Sequence, residues 1–172
     1  MIQTERLYLR IIQEEDASFL YQLMNTSKWH QHIGDRKIQS EADAIQYMQD
    51  RMHPDLKVKG FVNHVMIEKA SGASVGTCSL HNREGVVGMD VGYALLPQFE
   101  GNGYAAEGAK AMVNHAFNVY DQSKIHAITN EENTGSCRLL EKLGFVQQGY
   151  ADLPHLSEHI RLYSLERKAD SK

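Results

Sequence analysis

The chain has only two cysteines and three prolines among its 172 residues. Cys78 and Cys137 stand far apart, outside any CxxC or Cys/His ligand spacing, which argues against a zinc site or a disulfide framework and fits a reducing compartment. Nine histidines are present, but none forms HExxH, so no metal is expected. Basic residues are outnumbered by acidic ones, 18 to 22, and the net charge of -4 gives no general attraction to nucleic acid or to an anionic membrane. No apolar run is long enough to span a bilayer, and the opening MIQTERLYLR carries charges where a signal peptide needs its apolar stretch. A cytoplasmic protein with neither a nucleic-acid nor a membrane partner is expected. Repeats, low-complexity tracts and proline-rich linkers are also missing, which points to a single domain over residues 1–172 with frayed tails at 1–6 and 167–172.

What is present suits a folded globular chain, with 42% hydrophobic and 23% charged residues. Alternation over Leu7 to Ile11 predicts a first strand, and Ala17, Leu20 and Met24 put an apolar face on a helix from about Asp16 to Met24. Ser40 and Asp43 have capping-box spacing ahead of a second helix whose stripe is Ile45, Met48 and Met52, stopped by Pro54. Strands are predicted at Phe61 to Glu68, Ser74 to His81 and Val86 to Leu96, forming an antiparallel meander. A long helix follows from Tyr104 to about Val119, with Ala105, Ala109, Met112 and Ala116 on one side. Then come a strand at Lys124 to Thr129 and a short helix at Thr134 to Leu143 ended by Gly144. Two strands near Phe145 to Ala151 and Glu158 to Leu165 close the chain. The fold class is α+β, a mixed and mostly antiparallel sheet with helices packed on it.

Chemistry concentrates where the fourth strand runs through a two-glycine loop into the long helix. The first amides of a helix have no internal partner and sit at its positive end, so they can hold phosphate oxygens. Gly101 and Gly103 lack the Cβ atoms that would block such an approach. A tight strand-to-helix turn alone would also place glycines there. Gly101, Gly103 and Ala106 further satisfy the GxGxxA fingerprint of dinucleotide binding, which raises a nucleotide oxidoreductase as a rival. The context opposes it. Residues Pro97 to Glu100 separate strand from glycines, and Asp121 precedes the next strand where the fingerprint wants an acid ending it.

TERLYLR at 4–10, IGDR at 33–36, DVGYALLP at 90–97, QFEGNGYAAEG at 98–108 and NTGSCRLLEKLGF at 133–145 resemble, in that order, the GNAT superfamily of N-acetyltransferases. Within it they are most similar to the ribosomal-protein N-terminal alanine acetyltransferase-like branch. The resemblance implies a strongly twisted sheet of about seven strands flanked by four helices, with the fourth and fifth strands splayed apart and acetyl-CoA as co-substrate between them. It implies that Leu95, Leu96, Gln98, Gly101, Asn102, Gly103, Tyr104 and Ala105 hold the cofactor, with the diphosphate on the Gln98 to Gly103 loop. Two departures stand out. Relatives often carry a basic residue where this chain has Asn102, and Glu100 sets a carboxylate beside the expected phosphate.

A primary amine must lose a proton before it attacks a thioester, and the departing thiolate should gain one. Strand alternation places Asp90 on a face otherwise made of Gly88, Gly92 and Ala94, where a ligand has room. The resembled family often has an acidic general base at this place. A salt-bridged structural aspartate is the plainer reading. By the same resemblance Asn133 lies along the pantetheine arm and Ser136 near the sulfur as a proton donor; an asparagine N-cap with a serine in the first turn explains the same spacing. Cys137 has no histidine nearby in sequence to activate it, so an acyl-cysteine route is not expected. Trp29, clustered with His30 and His32, and His81 are candidates for the substrate pocket. The expected reaction is direct attack within a ternary complex, on a small-molecule amine, a polyamine or a protein N-terminus, by a monomer or homodimer. An acetyl-CoA sensor without turnover is the alternative.

Overall fold

Period-two patterning and the turns between segments build the sheet, as the computed structural model shows for residues 1–54, 63–154 and 160–168. The strands are β1 (Ile2–Gln3), β2 (Leu7–Ile11), β3 (His64–Glu68), β4 (Ser74–His81), β5 (Asp90–Leu95), β6 (Lys124–Asn130), β7 (Val146–Tyr150) and β8 (Ile160–Glu166). The helices are α1 (Ala17–Met24), α2 (Ser27–His32), α3 (Glu41–Tyr47), α4 (Tyr104–Val119) and α5 (Thr134–Lys142). The chain packs as two compact units, Met1–Ser79 with Tyr93–Gly108 and Leu80–Gly92 with Ala109–Lys172.

In the first unit the strand order is β1-β2-β3-β4 with the end of β5 alongside β4. β1, β2, β3 and β4 pair antiparallel, with a bulge between Met66 and Ile67. Two helix starts explain themselves locally. Thr26 Oγ1 accepts the Trp29 amide to cap α2, and Ser40 Oγ accepts the Asp43 amide to cap α3. The Asp43 carboxylate accepts the Gln39 amide at 2.9 Å, closing the predicted reciprocal pair one residue ahead of the cap. Ala17, Leu20, Leu23 and Met24 of α1 bury one helical stripe against Ala44, Met48, Met52, Val65 and Trp29. Each large side chain so covered contributes about 1.5–3 kcal/mol.

In the second unit the order is β5-β6-β8-β7. β6–β8 and β8–β7 are antiparallel, while β5 runs parallel to β6 and meets it at one register position, Asp90↔His126. Ile125, Ala127 and Thr129 are buried on alternate positions of β6. Ala109, Met112, Val113, Ala116 and Phe117 form the buried stripe of α4. The mixed sheet, antiparallel apart from β5–β6, is the expected fold class, with eight strands and five helices among the described residues in place of seven and four.

Several expectations need correction. Residues 1–6 are not a frayed tail, because Ile2 and Gln3 pair with Leu9 and Tyr8 and Arg6 is held by side-chain bonds. Trp29 and its neighbours form a further helix, α2, between the two helices expected in this stretch. The fourth strand begins at Asp90 and not at Val86: Gly88, at φ +99°, turns the chain ahead of it, and Val86 packs on Ala151, Leu153 and Ile160. Phe61, Val62 and Glu158 lie outside the described residues. No helix among the described residues is long and apolar enough to cross a membrane.

Candidate active site

Within the first unit, β5 ends at Leu95 and a short 3₁₀ turn, Pro97–Phe99, leads to the glycines. Leu96 is buried in the core and Leu95 half-buried, so they anchor the loop from below, whereas Gln98, Gly101, Asn102 and Gly103 are exposed. Gly101 and Gly103 have φ of +77° and +82°, a conformation that side-chain-bearing residues rarely adopt. A Cβ on Gly101 would meet nothing within 4 Å. The first bond into α4 runs from the Glu107 amide to the Gly103 carbonyl at 3.0 Å, so the amides of Tyr104, Ala105 and Ala106 precede it and have no partner in the helix. An exposed turn with left-handed glycines and three spare amides at the positive end of a 16-residue helix fits an anion such as a diphosphate.

The side chains around this turn are held in place. Asn102 Nδ2 donates to the Phe99 and Glu100 carbonyls, at 3.3 and 3.1 Å, so the Asn102 side chain shapes the loop. Glu100 is ion-paired with Lys28, which removes the repulsion its carboxylate would impose on a phosphate. Tyr104 is buried and its hydroxyl donates to Glu68, leaving only its backbone for a ligand. That bond pushes the tyrosine pKa above its ordinary value, while Glu68 is drawn below its own first by the hydrogen bond from Ser71 and then by the one from Tyr104. Glu107, in the first turn of α4, accepts from Thr4 Oγ1 at 2.5 Å and from the Arg6 amide and Nε at 2.7 Å each. Burial raises the Glu107 pKa, but these three donors outweigh it and leave the group below its ordinary value. Arg6, Glu107 and Lys28 were not anticipated as neighbours of the loop. TERLYLR and the glycine segment were both legible as motifs, but nothing in either says that they meet.

Trp29, expected to line a substrate pocket, is core: it is 9% exposed and packs with Leu20, Leu23 and Met24. Its flat ring completes the apolar layer between α1 and α3. His30 instead faces solvent near Asp35, at 3.9 Å.

In the second unit, Asp90 is wholly buried. Arg83 Nε donates to its Oδ1 at 2.8 Å, while Oδ2 has no hydrogen-bond partner among the described residues. Asp90 does not stand among small residues alone, as the alternation predicted, because the turn at Gly88 brings Arg83 back onto it. Parallel register partners project to the same face, which sets His126 beside Asp90; His126 Nδ1 is likewise buried and has no partner among the described residues, and the His126 amide donates to the Met89 carbonyl at 2.8 Å. Asn133 Oδ1 accepts the Ser136 amide at 3.2 Å, so Asn133 is the N-cap of α5, and its Nδ2 has no partner among the described residues. His81 is half-buried at the end of β4. Cys137 is buried.

The order of these parts along the chain, strand, glycine turn, long helix, strand and Asn-capped helix, is matched by a family of known proteins: the Acetyltransferase (GNAT) domain matches residues 6–146. The chain belongs to the GNAT acetyltransferase family. It is therefore an acyltransferase. An uncharacterized N-acetyltransferase of Bacillus licheniformis, p20, is 29% identical over 150 residues, 86% of this chain and 83% of the relative. Spermidine N(1)-acetyltransferase of Escherichia coli is 23% identical over 142 residues, 82% of this chain and 73% of the relative. Among solved structures, RimL, a ribosomal alpha-N-protein acetyltransferase in complex with coenzyme A, superposes with a TM-score of 0.77 over 95% of each chain at 18% identity, a likeness of fold. The described parts of this GNAT acetyltransferase thus divide between the units, with the glycine turn in one and Asp90, Asn133 and Ser136 in the other.

Proposed function

We propose that the protein transfers the acetyl group of acetyl-CoA to a primary amine by direct attack. The observation that carries this reading is the turn at Gly101 and Gly103, with three helix amides ahead of the first intrahelical bond. Those amides bind the diphosphate of the cofactor whatever side chains flank them. Asn133 Nδ2, spare after capping, bonds the pantetheine arm. An amine with a pKa of about 10.4 is protonated at neutral pH, so a base is needed. Asp90 takes that proton on Oδ2, the oxygen that Arg83 does not hold, and the Ser136 hydroxyl returns one to the departing thiolate. The relatives named for spermidine and for a ribosomal protein support two acceptor classes, a polyamine and a protein N-terminal amine.

Thiol release from acetyl-CoA, followed with spermidine, N-terminal peptides and small amines, tests the reading. Release that depends on one acceptor class supports it; none with any amine contradicts it.

One observation favours a second reading. Asp90 is fully covered and ion-paired, as a structural aspartate would be. A module that binds acetyl-CoA without turnover would show calorimetric binding, no thiol release, and affinity unchanged by Asp90→Ala or Ser136→Ala.

A further inference from the structure

The Arg6 side chain has three nitrogens that can donate, and two are committed. Nε donates to Glu107 Oε2 at 2.7 Å and Nη1 to the Asn102 carbonyl at 2.9 Å. The guanidinium also lies over the Tyr104 ring, 4.7 Å from its centroid. A planar group pinned at two corners and stacked on a ring has lost most of its freedom. Its third nitrogen, Nη2, has no acceptor among the described residues and stands 3.3 Å from where a Cβ on Gly103 would lie. The side chain is 44% exposed, so a ligand on the turn can reach it. No residue from Gln98 to Tyr104 is basic.

We propose that Arg6 supplies the cationic donor that the glycine loop lacks, giving an Nη2 hydrogen to a diphosphate oxygen held over Gly103. This rests on the reading that the turn binds coenzyme A. Glu107 neutralises much of the Arg6 charge, so the contribution comes from a directed, charge-assisted hydrogen bond and not from net charge. Lysine cannot keep the bonds to Glu107 and Asn102 and still present a donor at the same point.

The test compares wild type, Arg6→Gln and Arg6→Lys with two ligands, acetyl-CoA and S-acetyl-pantetheine, which lacks the diphosphate. Calorimetric affinity and KM are measured after circular dichroism confirms folding. Arg6→Gln should weaken acetyl-CoA by roughly tenfold, the scale of one charge-assisted bond, with kcat little changed and S-acetyl-pantetheine unaffected. Arg6→Lys, the milder change should Arg6→Gln not fold, should recover only part of the loss. Equal losses for both ligands, no loss for either, or full recovery by lysine would overturn the assignment. Wild type that binds no coenzyme A would instead overturn the reading beneath it.

Discussion

Arg83 holds one oxygen of the buried Asp90 carboxylate at 2.8 Å and leaves the other without a partner among the described residues. The two ends of this pair are not equivalent, because Arg83 reaches solvent and Asp90 does not: the side chains are 34% and 1% exposed. Arg83→Met strands a buried charge and should cost about 3 kcal/mol, whereas Asp90→Asn leaves an arginine that water can reach and should cost about 1 kcal/mol. Guanidinium denaturation of both variants checks the order. Asp90→Asn should also lower kcat by about 100-fold or more with little change in KM for acetyl-CoA.

The glycines predict a second contrast. A Cβ on Gly76 would lie 2.2 Å from the Ala94 carbonyl oxygen and 2.6 Å from Leu95 Cδ2, so Gly76→Ala must push β4 and β5 apart in the first unit and should cost about 3 kcal/mol or more. Gly101→Ala meets no atom and bears only the cost of its positive φ, about 1 kcal/mol. Thermal melts that rank the two the other way would contradict the packing described.

Asn133 separates capping from ligand binding. Asn133→Ala should lose about 1 kcal/mol of stability, while Asn133→Asp keeps an oxygen for the Ser136 amide and should melt close to wild type. If Nδ2 serves the pantetheine arm, both variants should show a raised KM for acetyl-CoA. A normal KM in Asn133→Asp would reduce the residue to a cap.

Burial pushes the Cys78 thiol up to about 12, so at pH 8 it stays protonated and unreactive in the folded protein. Iodoacetamide should modify Cys78 only after denaturant is added. Peptide mapping that finds it labelled in the native state would contradict this burial.

Glu107 carries an acid-side signature. Its folded pKa lies below the ordinary 4.5, so the stability it brings is complete above that value and is lost as pH falls through the lower, folded one. Glu107→Gln should be less stable than wild type near neutrality and should show a shallower decline in denaturation midpoint below about pH 4.5. Parallel curves would argue that the carboxylate is not engaged by Thr4 and Arg6.

These contacts mark what a linear reading could reach. The Tyr104–Val119 helix is readable because small and apolar side chains recur there with helical spacing, and the Ser74–His81 strand because turn residues bound it. The glycine turn was legible too, since positive φ at a strand-to-helix junction needs glycine. The Arg6 bonds to Glu107 and Asn102 were not, because they join residues 101 and 96 positions apart and each partner taken singly reads as an exposed polar residue. Trp29 is hard to place from sequence for a related reason: its histidine neighbours suggest a polar pocket, whereas tertiary packing buries its ring among Leu20, Leu23 and Met24. Asp90 stands out in the sequence as a lone acid, but its ion pair depends on the turn at Gly88, and local alternation cannot foresee that turn.

The central claim is that the backbone of the glycine turn and the first turn of α4 holds the cofactor. Titrating the ¹⁵N-labelled protein with coenzyme A and following amide chemical shifts tests it most directly. The account predicts saturable shifts that are largest at Gly101, Gly103, Tyr104, Ala105 and Ala106. Saturable binding that leaves those five amides unmoved would contradict it.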